Sequence, residues 1–137
     1  MTTLIEFLRT RYDEEQRDAE AAYDGDGYRE WDIPCTGVVQ VAGGDLDGLV
    51  VAPRNAAIHI ACHDPARVLA EVAAKRAIIA DCTEMLKMCQ VDRGGNLGRP
   101  GEHMMGDFGR WILQKMAAPY AAHPDYNPAW QPAEVTT

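Results

Sequence analysis

The sequence predicts a helix-dominated α+β fold, and three observations carry that prediction. Apolar residues recur at three- and four-residue steps over roughly 3–22, 65–91 and 107–118, the period of three main helices each buried on one face. Between the first two helices, the β-branched runs Val38-Val39-Gln40-Val41 and Leu49-Val50-Val51 flank a Gly- and Asp-rich stretch, the pattern of a small antiparallel β-hairpin over about 38–51. With 137 residues, 47% of them hydrophobic and 25% charged, the chain has the size and composition of a single domain, 1–137, built on one core.

The first helix opens at Thr3, whose hydroxyl and the carboxylate of Glu6 form a capping-box pair. Leu4, Leu8, Tyr12, Glu15, Ala19 and Tyr23 then mark one face, the opposite face is acidic, and Asp24-Gly25-Asp26-Gly27 ends the helix. A lone hairpin is marginal in water, so the pair at 38–51 needs helices against it, with residues 30–35 available as a third strand. Asn55 is placed to cap a short helix over 56–63. Asp64 caps a new helix with Pro65 at its first position, where the missing N–H does no harm, and the chain bends there because a residue before proline avoids helical geometry.

The helix from 65 to about 91 carries a seam of Val68, Val72, Ile79, Cys82, Leu86 and Cys89, with Arg67, Glu71 and Lys75 alternating in charge along its flank. Gly94-Gly95 follows it, and 92–106 reads as a flexible Gly-rich loop. Asp107 is placed to cap the last helix, with Phe108, Trp111, Ile112 and Met116 as its core face. Residues 120–137 read as an extended aromatic tail lying back on the body.

Charge narrows the functional classes. The formal charge is −8, and residues 1–35 hold ten acidic against four basic side chains. Direct nucleic-acid binding needs a basic footprint and none is visible. The acidic first helix instead suits a protein partner with a basic surface, through Glu14, Glu15 and Asp18, with Tyr126 and Trp130 of the tail as further contact residues. A homodimer through a long helix is a further expectation. No signal peptide or apolar run of membrane length is seen, so a cytoplasmic, membrane-free protein is expected. Cys35, Cys62, Cys82 and Cys89 are then thiols or ligands and not a disulfide frame; on one helix Cys82 and Cys89 stand about 10.5 Å apart along the axis, beyond disulfide reach.

The densest chemistry is at His59 and His63, whose i,i+4 spacing on a helix can offer both imidazoles to one metal ion. The metalloprotease form of that pattern needs a glutamate after the first histidine, and Ile60 stands there instead. The bland alternative is a helix end in which His63 gains from the helix dipole. Asp24-Gly-Asp26-Gly and Asp45-Leu-Asp47-Gly lack the closing glutamate of a calcium loop and read as turns. The glycines from 94 to 101, with Arg93 and Arg99, lack the Gly-Lys-Ser/Thr ending of a phosphate loop. Cys82 and Cys89 read as buried small hydrophobes, and no catalytic group is identified.

The run His59-Ile-Ala-Cys-His63-Asp-Pro-Ala-Arg-Val-Leu69, followed by Glu71 and Lys75-Arg76-Ala77-Ile78, resembles a family of short uncharacterised proteins of actinobacteria and their phages. The closing Pro119-Tyr120-Ala-Ala-His123-Pro-Asp-Tyr126, with Trp130, is similar to that family's last motif, and Leu4-Ile-Glu-Phe-Leu-Arg9 to its first helix. The chain departs from the pattern at Cys62, where the family is expected to carry arginine, and over 92–106, where some relatives have a cysteine-containing linker. The resemblance implies a domain of unknown function, with His59, His63 and His123, beside Asp64, as the matching positions for any shared site. The leading expectation is thus a protein-binding or regulatory module with no cofactor. The alternative is a metal-binding protein or metal-dependent hydrolase that holds zinc or another divalent cation on His59, His63 and His123, where the cation would activate water.

Overall fold

Reciprocal hydrogen bonds start the first helix, α1 (Leu4–Ala21). The Thr3 N–H donates to Glu6 Oε2 at 2.8 Å, and the Glu6 N–H donates to Thr3 Oγ1 at 3.2 Å. The Thr3 N–H, with the Thr3 hydroxyl that also donates to Glu6 Oε2 at 2.9 Å, holds the Glu6 carboxyl below its usual range. The computed structural model describes residues 2–23, 27–35, 37–42, 49–51, 53–91 and 102–131. The turns expected at 24–26 and 43–48, residues 92–101 of the expected loop, and residues 132–137 of the tail lie outside the described residues, as do the side chains of Cys35, Cys89 and His103.

After α1 come β1 (Gly27–Cys35), β2 (Val38–Ala42), β3 (Leu49–Val51), α2 (Arg54–Ala61), α3 (Pro65–Val91) and α4 (Glu102–Ala117). The helix-dominated α+β prediction holds, with two refinements. Among the described residues there are four α-helices, the three main ones and α2 near the short helix expected at 56–63, and the hairpin is a three-stranded antiparallel sheet in the order β1-β2-β3. β1 pairs with β2 with irregular register on both sides of Asp32, whose carboxylate accepts the Ile33 N–H at 2.7 Å. Pro34 is tolerated because β1 is an edge strand, where a missing N–H breaks no ladder. Gly37 follows β1 with φ of 81°, a conformation that favours glycine. Val38 to Gln40 pair in order with Val51 to Leu49.

The chain divides into two units, Tyr12–Ala74 and Met1–Arg11 with Lys75–Thr137, so α1 and α3 each contribute to both. In the first unit Tyr12, Ala19, Val39, Ala57, Pro65 and Val72 are buried, and α2 packs on β1 and β2. The Asp64–Pro65 corner is as predicted: Asp64 Oδ1 accepts the Arg67 N–H at 2.8 Å and Pro65 opens α3. A cap of this kind contributes about 1 kcal/mol. α2, by contrast, starts after Pro53 with no side-chain cap, not from Asn55.

In the second unit Phe7, Leu8, Ile79, Cys82, Leu113 and Ala117 form the core. Ile79 and Cys82 are seam positions of α3 that the spacing predicts, and burial pushes the Cys82 thiol up, the mark of an inert cysteine. α4 differs from prediction in two ways. It begins at Glu102, so it takes in the last residues of the expected 92–106 loop. Its inner face is Gly106, Gly109, Leu113 and Ala117, while Phe108 and Trp111, predicted to be core, are 54% and 42% exposed. The reason is close helix packing: a Cβ on Gly109 would lie 3.2 Å from Met85 Cβ and 3.3 Å from the Cys82 carbonyl oxygen. Small residues must face α3 there, and the large rings on the opposite side of α4 turn outward.

Beyond α4 the chain turns through 3-10 helices at Ala118–Tyr120 and Pro128–Trp130, the latter capped by Asn127 Oδ1 on the Ala129 N–H at 3.0 Å. Residues 118–131 are thus a series of tight turns where the sequence suggests an extended tail. Among the described residues no helix is long and apolar enough to cross a membrane.

Candidate functional site

A groove of about 270 Å³ gathers the chemistry of the unit Tyr12–Ala74. It is lined by Glu15, Asp18, Ala19, Ala22, Trp31, His63, Pro65 and Val68. Spacings of three and four residues put Glu15, Asp18, Ala19 and Ala22 on one side of α1 and its end. β1 supplies Trp31, and the α2–α3 corner supplies His63, Pro65 and Val68. Ala19 and Pro65 are buried and make an apolar floor, with the two carboxylates and the imidazole around it.

Local bonds orient the polar members. The Trp31 indole N–H donates to the Tyr28 carbonyl at 3.0 Å, which fixes the ring. His63 Nδ1 lies 2.8 Å from the His59 carbonyl, and because a carbonyl only accepts, the hydrogen of the neutral ring sits on Nδ1. Nε2 is left as the acceptor. Burial pushes the Tyr12 hydroxyl up to about 12, with the Glu15 carboxylate adding in the same direction, so Tyr12 stays neutral at physiological pH. Of the groove's lining residues, Glu15 and Asp18 carry carboxylates, which match a ligand that brings hydrogen-bond donors.

The structure brings two of the predicted residues together within one unit. The His59 and His63 rings lie 4.3 Å apart between centroids, as their i,i+4 spacing predicts, both exposed. His123 belongs to the other unit. There its Nε2 meets the Arg11 guanidinium, and the Asp125 N–H lies 3.1 Å from its Nδ1. Both ring nitrogens of His123 thus have neighbours within its own unit. Asp64 caps α3. Among the described residues no three His, Cys, Asp or Glu side chains are grouped to hold a metal ion.

Glu14 is half-buried on α1 and does not line the groove, whereas Glu15 and Asp18 do. Tyr126 and Trp130, half-buried, pack on Phe7 with centroid distances of 5.9 and 5.1 Å. What the sequence could not show is the convergence of Trp31 and His63 on the α1 carboxylates, because the strand and the corner reach the groove only through the tertiary fold. The proline corner was the available signal.

A family model described as "Family of unknown function (DUF6221)" matches residues 1–132. No match was found among curated proteins or among solved structures.

Proposed function

The chain belongs to the DUF6221 family of unknown function, and on that premise we propose that it is a protein-binding module whose groove takes an arginine side chain from a basic segment of its partner. The carrying observation is the meeting of Glu15, Asp18 and the fixed indole of Trp31 over an apolar floor. Arginine offers five N–H donors and no acceptor, pairs with carboxylates through two parallel bonds, and stacks on tryptophan. The volume of about 270 Å³ falls below the roughly 300–1,000 Å³ of small-molecule sites and suits one long side chain. The excess of acid in residues 1–35 favours approach of a basic surface.

Titration with N-acetylarginine amide, followed by 15N spectra, is expected to shift the Trp31 indole N–H and the amides of Ala19 and Val68. The uncharged citrulline analogue should leave them in place. Glu15→Lys with Asp18→Lys should weaken binding by at least about tenfold, since a charge-assisted hydrogen bond contributes roughly 1.5–3 kcal/mol. Glu14→Lys should leave binding nearly intact. Equal shifts for arginine and citrulline, or shifts spread evenly over the acidic surface, would overturn the assignment.

A divalent cation on His59 and His63 is the second reading. It is favoured by the Nδ1–H of His63 on a backbone carbonyl, the arrangement that aims the other ring nitrogen at a metal. Elemental analysis of the purified protein decides it. Stoichiometric zinc with a melting point lowered by chelator supports this reading, and metal-free protein with unchanged melting removes it.

A further inference from the structure

We draw no further inference here: the strongest candidate, the exposed apolar face of α4 formed by Met104, Phe108 and Trp111, carries nothing, because nothing among the described residues shows what covers it.

Discussion

Phe7→Ala is expected to lower stability by about 3–5 kcal/mol and to release the C-terminal segment at the same time. Phe7 is 1% exposed and stands at the centre of a ring cluster. Tyr120, His123, Tyr126 and Trp130 surround it at 5.1–6.2 Å. One turn further along α1, the Arg11 guanidinium lies 5.4 Å from the Phe7 ring centre and meets His123. The segment 118–131 consists of short 3-10 helices and turns, which carry little stability of their own. Its order therefore depends on what it packs against.

Truncation of the ring removes the contact shared by four aromatic side chains, in a protein whose total stability is on the order of 5–15 kcal/mol. Urea unfolding reads the loss, and amide exchange over 118–131 reads the release. Tyr126→Phe is the control. Its hydroxyl is buried with no hydrogen-bond partner found among the described residues, so deleting the oxygen should leave stability unchanged or raise it. A Phe7→Ala loss near 1 kcal/mol with exchange protection intact would mean that the tail rings hold one another without Phe7.

Local signals of the fold were legible where the residues concerned lie within one turn of each other. The Thr3–Glu6 box and the Asp64–Pro65 corner are cases in which a side chain satisfies a backbone donor three residues away, and both formed as the spacing implies. The strand pairing of β2 with β3 followed from alternation and a Gly-rich connection. The orientation of α4 was not legible by the same reasoning. Periodicity ranks faces by hydrophobicity, and Phe108 and Trp111 outrank Gly106, Gly109 and Ala117 on that scale. Helix approach distance ranks them the other way, and it decided the packing. The groove shows a similar split: Glu15, Asp18 and His63 could be named as candidates from the sequence, while their meeting with Trp31 depends on a strand placed by tertiary contacts. The approach of His59 and His63 needed only the local turn that follows α2, in which the His63 N–H donates to the Ile60 carbonyl, whereas His123 was tied to them by the family resemblance.

Gly109→Leu tests the inner face of α4 most severely. Gly109 is buried, and the obstacle to a side chain there is partly the Cys82 backbone carbonyl, 3.3 Å from the position of a Cβ. A flexible side chain such as Met85 can yield by a few tenths of an ångström, but a carbonyl inside α3 cannot move without its helix. Alanine at this position gains about 1 kcal/mol of helix propensity and loses a comparable amount to compression, so Gly109→Ala should be close to neutral. Leucine has no such exit. Its branched end must enter α3 or force the two helices apart, and overpacking of this kind costs about 1–3 kcal/mol or more. The loss should fall at the upper end, because separation of the helices also loosens Leu113 and Ala117, both buried along the same line. Denaturant titration beside Phe108→Leu makes the comparison: the outer-face change should stay within about 0.5 kcal/mol. If the two substitutions exchange magnitudes, α4 is rotated by half a turn and the rings belong to the core.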